Sequence, residues 1–338
     1  RRVLFPIYKL IKYIMIQITL PDGSKREYAS GVTGMEVAKS ISEGLAKKCL
    51  AATVNGEVWD LSRNIEKDST LKLLTWDDTE GKSTFWHSSA HLMAEAVQTV
   101  FPHAKFWVGP AVDKGFYYDI DLGDSKISED DLASLEKKMN EFAKQNNAYV
   151  RKAMPKQEAV SYFTEKGDEY KLDLLSNLND GEITFYTQGS FTDLCRGPHI
   201  PTTGMIKAIK LTSIAGAYWK GDEKNKQLTR IYGVTFPNQK ELDEYLLMLE
   251  EAKKRDHRKL GKELSIYTMD DDVGQGLPLW MPNGTIIIEE LEKLAKETEQ
   301  DAGYKRVVTP HLAKESMYLT SGDRKSTRLN SSHANISY

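Results

Sequence analysis

Ile16-Gln17-Ile18-Thr19-Leu20-Pro21-Asp22-Gly23-Ser24 decides the first fold assignment. Ile16, Ile18 and Leu20 alternate with polar residues, which predicts a strand with one buried face, and Pro21 to Ser24 supplies turn chemistry. Lys25 to Tyr28 then returns as the second strand of a hairpin. Downstream, Thr33 and Glu36 have the spacing of a capping box, opening a helix with Val37, Ile41 and Leu45 on one face. Strands are expected over Ala51–Val54, Glu57–Leu61 and Leu71–Trp76, the first two joined by the Asn55-Gly56 turn. Hairpin, helix and further strands make a small mixed α+β unit.

A second region begins near Thr84. Trp86, Ala90, Met93 and Val97 share one helical face, and His87 and His91, four residues apart, stand one turn from each other on a neighbouring face. Lys126 to Asn146 reads as a polar amphipathic helix, followed by short strands and loops to Pro237. Asn238 and Glu241 form another capping-box pattern, and the text is helical in composition to about Leu264, with Leu242, Tyr245, Leu246 and Leu249 on one side. Its second half carries Lys253, Lys254, Arg255, Arg258, Lys259 and Lys262. These cations form either a stripe that RNA phosphates attract or a solvated face balanced by Glu250, Glu251 and Asp256. Leu279 to Thr285 leads into a helix from Ile286 to Asp301, and Gly303 to Pro310 reads as turn then strand.

Four side chains carry the chemistry: His87 and His91, and Cys195 and His199 of Cys-Arg-Gly-Pro-His. Together they have the ligand types and count of a tetrahedral zinc site. They equally suit a metal-free hydrolytic site, in which imidazoles deprotonate water near neutral pH and donors steady the oxyanion of an ester. The residue pattern permits both.

The length of 338 residues, 40% hydrophobic and 28% charged, suggests two or three domains. A net charge of −3 gives no overall basic excess, so any RNA contact must come from a local patch. Cys49 and Cys195 provide no disulfide framework, which fits a reducing, cytoplasmic setting. No apolar run reaches the ~18 residues of a membrane span. Arg1 to Ile14 reads as an upstream extension with the native start expected at Met15, and residues 323–338 are polar, aperiodic and read as an unrelated tail.

His87-Ser88-Ser89-Ala90-His91, Gly109-Pro110, Gly115-Phe116-Tyr117-Tyr118-Asp119, Asp193-Leu194-Cys195-Arg196-Gly197-Pro198-His199 and Gly216-Ala217-Tyr218-Trp219-Lys220-Gly221-Asp222 resemble, in order and spacing, the proofreading domain of bacterial-type threonyl-tRNA synthetases. Ile18 to Ser24 is similar to the opening of that family's front domain. Residues 251–262 resemble its linker helix, and residues 279–310 resemble the first class II synthetase motif, with Pro310 at its proline. Approximately residues 16–322 are covered. The resemblance implies a multidomain α+β chain: extension 1–14, ubiquitin-like β-grasp (TGS) domain 15–77, α+β aminoacyl-tRNA editing domain 78–237, linker helix 238–264, the start of a truncated class II antiparallel-sheet domain 265–322, and tail 323–338.

By the same resemblance, His87, His91, Cys195 and His199 line the editing pocket, Asp193 reads the substrate amino acid and Lys171 helps to place the water. Lys253, Lys254, Arg255, Arg258 and Lys259 contact tRNA. Gly109, Gly115 and Gly197 suit either close approach of a terminal adenosine or turn geometry. The implied reaction is hydrolysis of serine wrongly esterified to threonine tRNA; serine lacks only a methyl, and a methylene-sized difference supports roughly 10 to 200-fold discrimination in one pocket. No metal is implied at this site, whereas the related alanyl-type editing domain is usually a zinc enzyme. ATP, Mg2+ and Zn2+ belong to segments of the full-length parent that are absent here, so the fragment is expected not to make threonyl-tRNA. The parent is a homodimer; neither a membrane nor DNA is implied as a partner. A free-standing, zinc-dependent alanyl-type deacylase and a non-enzymatic RNA-binding module are the competing readings.

Overall fold

The computed structural model describes residues 14–274 and 276–308, with Ser316 and Thr320. Nearly all of the expected extension, Pro310 and the tail lie outside the described residues. The described α+β architecture falls into two compact units, residues 1–248 and 249–338.

The first unit opens with β1 (Met15–Thr19) and β2 (Lys25–Ala29), paired antiparallel around the Pro21–Ser24 turn. Helix α1 (Gly34–Ile41) starts at the expected box: the Thr33 hydroxyl accepts from Glu36 N–H, and the Glu36 carboxylate accepts from Thr33 N–H at 2.8 Å. It ends earlier than expected. Ser42 is fully extended, and its hydroxyl caps a new short turn, Glu43–Ala46, by accepting from Leu45 N–H. Ile41, expected on the inner face, is consequently 37% exposed. With β3 (Ala51–Val54), β4 (Glu57–Trp59) and β5 (Ser69–Leu74), the sheet order is β2-β1-β5-β3-β4, the central β1/β5 pair being parallel. Ile16, Ile18, Val37, Cys49, Leu61 and Leu71 fill its core.

Helix α2 (Thr79–Val100) begins five residues before the expected Thr84. From Thr84 to Val97 only His87 escapes full burial, so this is a core helix rather than a surface amphipathic one. It packs with α3 (Glu129–Gln145), whose Ser128/Asp131 capping box fixes its start, against an antiparallel sheet. That sheet contains β6 (Lys105–Phe106), β7 (Gly115–Asp121), β11 (Ala208–Tyr218) and β12 (Gln227–Phe236) in the order β11-β12-β7-β6. A second sheet joins β8 (Val150–Ala153), β9 (Thr184–Gln188) and β10 (Phe191–Leu194). It is covered by α4 (Lys156–Glu165) and α5 (Glu169–Ser176) through Phe163, Leu175 and Phe185. The expectation of short strands and loops before Pro237 is corrected on two counts: α4 and α5 are helices, and β11 and β12 form a long hairpin of eleven and ten residues.

Helix α6 (Gln239–Lys254) starts at the predicted cap, with Glu241 N–H donating to Asn238 Oδ1 at 3.0 Å. The single helix expected to Leu264 is broken at Asp256, because that carboxylate caps a separate helix, α7 (His257–Glu263), by accepting from Arg258 N–H. Within the second unit, α8 (Pro282–Asp301) begins four residues before the expected Ile286, with Pro282 in its first turn. Tyr267–Thr268 pairs with Leu279–Trp280. Tyr304 to Val308, expected to begin a strand, has no regular structure.

Met93 is fully buried against the first unit's main core whereas Val100, on the same helix, is 44% exposed. Met93→Ala is expected to cost roughly 2–5 kcal/mol in urea unfolding. Val100→Ala should stay within about 0.5 kcal/mol.

Candidate active site

Helix α2 carries His87 and His91 one turn apart, and the loop after β10 brings Cys195 and His199 to face them. One ligand atom from each of the four residues lies within 4.8 Å of the others. Residues separated by more than 100 positions thus converge as a set.

The hydrogen-bond partners assign the protons. His87 Nδ1 lies 3.0 Å from the Gly109 carbonyl, which can only accept, so Nδ1 carries hydrogen and Nε2 presents a lone pair. That lone pair faces Cys195 Sγ at 2.9 Å and accepts a hydrogen bond from the thiol. The Ser88 hydroxyl donates to Thr84 O at 2.7 Å and accepts from Ile200 N–H, so it also accepts from His199 Nδ1–H at 3.0 Å. His199 Nε2 is therefore a second lone pair aimed at the same sulfur, 3.3 Å away. Sγ further accepts from Gly197 N–H at 3.2 Å. One thiol proton cannot serve two imidazoles, so one basic nitrogen is left facing the site. His91 Nδ1 is buried and without a hydrogen-bond partner among the described residues.

Burial keeps these bases neutral. Withdrawal from water lowers the basicity of His87 below the ordinary histidine range. His91 and His199 are lowered further, first by burial and then by the positive charge that neighbouring rings would carry; Lys171 adds to this at His91. Burial also pushes the Cys195 thiol up to about 12, with the Asp193 and Asp60 carboxylates adding to it. The sulfur is accordingly a proton donor at neutral pH.

Beside this cluster stands a buried ion pair. Asp193, on β10, meets Lys171 Nζ at 2.7 Å through Oδ1, and Tyr118 of β7 donates its hydroxyl to Oδ2. Lys171 Nζ also donates to Trp107 O at 3.0 Å. His91 Nε2 is 3.9 Å from Asp193 Oδ2. Both members of the pair are under 5% exposed, so Lys171 is a buried lysine. The Asp168 carboxylate places Lys171 by accepting its backbone N–H at the start of α5.

The three glycines have internal explanations. A Cβ on Gly109 would lie 2.4 Å from the Tyr118 ring, and one on Gly197 would lie 2.1 Å from the Tyr186 hydroxyl. Gly115 takes φ +106° against the Gly233 carbonyl.

Residues 183–232 match the family profile described as threonyl and alanyl tRNA synthetase second additional domain, and residues 16–75 match the TGS domain. The threonine–tRNA ligase of Cytophaga hutchinsonii is 64% identical over 91% of this chain and 48% of its own length. Those of Porphyromonas gingivalis and Parabacteroides distasonis are 56% and 55% identical over 91% of this chain, each covered for 47%. This chain is a homologue of the threonine–tRNA ligases. It spans about half the length of the curated relatives it matches.

In this threonine–tRNA ligase homologue the profile residues take in Asp193, Cys195 and His199, while His87, His91 and Lys171 precede them. Sequence reasoning gave no role to Ser88 and Tyr118, although both lie inside the quoted motifs. It also missed Asp60 and Tyr186: Asp60 accepts from His199 N–H at 2.7 Å and from the Tyr186 hydroxyl at 2.6 Å. A contact across 139 residues leaves no local signal.

The cations expected to contact tRNA are divided between helices. Lys253 and Lys254 end α6, Arg255 follows, and Arg258 and Lys259 belong to α7. Lys254 pairs with Glu251 at 2.9 Å, Arg258 with Asp256 at 2.8 Å and Lys259 with Glu263 at 3.9 Å. Such exposed pairs contribute little to stability and give way to a stronger anion.

Lys171→Met should leave Asp193 as a buried carboxylate without its cation. Chemical denaturation is expected to register a loss of about 3–5 kcal/mol. Adding Asp193→Asn should recover part of it; a loss below about 1 kcal/mol in the single variant would contradict a buried charged pair.

Proposed function

We propose that this chain is the proofreading portion of a threonine–tRNA ligase and hydrolyses the ester that joins serine to threonine tRNA. The observation that carries this reading is the unserved imidazole lone pair facing Cys195 in a buried site. A water seated there gives a proton to His199 Nε2 while its oxygen attacks the ester carbonyl. The carbonyl electrons move onto oxygen, where the Cys195 thiol and the Lys171 ammonium serve as donors. Collapse of the tetrahedral intermediate breaks the bond to the ribose oxygen of the terminal adenosine, and the imidazolium returns its proton to that oxygen.

Asp193 suits recognition of the substrate's ammonium. A carboxylate has about four lone-pair positions, and Lys171 and Tyr118 occupy two of Asp193's. The extra methyl of threonine is what the pocket must refuse. In this reading residues 15–77 and 78–237 act as TGS and editing domains. The cations from Lys253 to Lys259 meet tRNA phosphates. Threonylation, with its ATP, Mg2+, Zn2+ and homodimer, belongs to the whole ligase in the cytoplasm. Among the described residues no helix is long and apolar enough to cross a membrane.

A zinc-dependent variant of the same hydrolysis is favoured by one further observation. His87 and His199 each give the ring N–H away from the cluster to a fixed acceptor, as metal-bound imidazoles do, and His91 Nδ1 is orphaned. His87, His91, Cys195 and His199 would hold a zinc ion, which, with one of the four displaced to open a position, would supply Lewis acidity at the ester and lower the pKa of water.

Release of labelled amino acid from seryl-tRNA and threonyl-tRNA of the threonine acceptor, with and without chelator, tests both. Chelator-resistant release of serine alone supports the metal-free reading, and chelator-sensitive release supports the metal. Absence of release would leave a binding module. His199→Ala is expected to slow hydrolysis about 100-fold or more. Because the folded histidines titrate below the ordinary value, the rate, corrected for spontaneous hydrolysis, should hold from pH 7.5 to 6.5 and fall only at lower pH. A base at the unperturbed value near 6.5 would already have lost about half its activity there.

A further inference from the structure

Asp60 lies in the turn after β4, outside the elements that carry the proposed chemistry, yet it reaches the site. Its Oδ1 accepts from the backbone N–H of His199 at 2.7 Å, and its Oδ2 accepts from the Tyr186 hydroxyl at 2.6 Å. Asp60 is 8% exposed, and its carboxylate has no ion-pair partner among the described residues. Burying a carboxylate without a counter-charge is costly, and both hydrogen bonds that offset the cost come from outside the β-grasp unit, so stability of that unit alone does not account for it. Leu61, beside it, is 2% exposed in that unit's core and fixes where the carboxylate stands.

One acceptor oxygen holds the loop directly at the His199 N–H, and the other holds Tyr186, which packs against the loop. Tyr186 packs edge-on against the His199 ring at 4.4 Å, and its hydroxyl occupies the space that a Cβ on Gly197 would need. Tyr149 stacks on the same imidazole, 5.1 Å between centroids and 3° from parallel. The segment from Cys195 to His199 is thereby clamped, and with it the Gly197 N–H and His199 Nε2 that meet Cys195 Sγ. Asp60 and His199 both line a cleft of about 880 Å3 between the β-grasp unit and the rest of the first unit.

We propose that Asp60 is a positioning residue for the Cys195–His199 loop, so that the N-terminal β-grasp unit is a structural part of the hydrolytic site. The catalytic side of this inference rests on the esterase reading given above; the geometric side does not.

The test uses the full chain as wild type, Asp60→Ala, Asp60→Asn and Tyr186→Phe. Three quantities are measured: kcat and KM for seryl-tRNA, the site-resolved alkylation rate of Cys195 by iodoacetamide at pH 8, and far-UV circular dichroism. Asp60→Ala should lower kcat about 10-fold or more with KM within about 3-fold, and raise Cys195 alkylation by a similar factor. Asp60→Asn should recover most of both, because its amide oxygen still accepts from His199 N–H and its NH2 reaches the Tyr186 hydroxyl. Tyr186→Phe should give a smaller loss in the same direction, and it carries the test if Asp60→Ala does not fold. Wild-type kcat and alkylation in Asp60→Ala would overturn the proposal. So would Asp60→Asn falling as far as Asp60→Ala, which would assign the effect to charge. A wild-type chain that hydrolyses no seryl ester counts against the esterase reading, and the alkylation rates then decide on Asp60 alone.

Discussion

The withdrawal of three imidazoles from water constrains everything around them. A ring nitrogen buried without a partner costs free energy, and a buried imidazolium costs more. The chain meets this cost at two of the three with fixed acceptors, the Gly109 carbonyl for His87 and the Ser88 hydroxyl for His199, and leaves His91 Nδ1 without a partner among the described residues. Each acceptor in turn must be held, Ser88 by the carbonyl of Thr84 one turn back on α2 and Gly109 by its close fit under the Tyr118 ring. The outcome is a set of neutral bases whose free lone pairs point inward, in a wall that cannot relax without orphaning polar atoms.

A second buried charge system stands against the first. Lys171 and Asp193 compensate each other, and Tyr118 joins this pair to the sheet while its ring packs against Gly109. Glycine at 109 therefore serves both systems: its carbonyl orients His87, and its missing side chain admits the residue that orients Asp193. Asp60 extends the same logic to the β-grasp segment, since the N–H of His199 is met by its carboxylate.

Helix α2 could be read locally because its face pattern and the His-x3-His spacing depend only on the 3.6-residue period. The Thr33/Glu36 and Asn238/Glu241 caps were legible for the same reason, each being a contact three residues long. Local reading failed where one residue had two local options. Ser42 and Asp256 each interrupt what looked like a continuous helix, because a side-chain oxygen can cap a new turn as readily as it tolerates the old one. The helices at 156–165 and 169–176 went unread because short helical segments between strands carry little periodic signal, and their apolar faces are defined by Phe185 on β9 and Leu194 on β10.

The amino-acid sequence by itself determined the α+β class, the order of hairpin, helix and further strands in the N-terminal segment and the identity of the four His and Cys side chains. Each of these follows from short-range periodicity, capping or motif spacing. Only the tertiary structure decided which nitrogens hold protons, that Lys171 is buried against Asp193, and that Asp60 belongs to the site. Those facts depend on contacts between residues as far as 139 positions apart, formed once burial has removed water as the alternative partner.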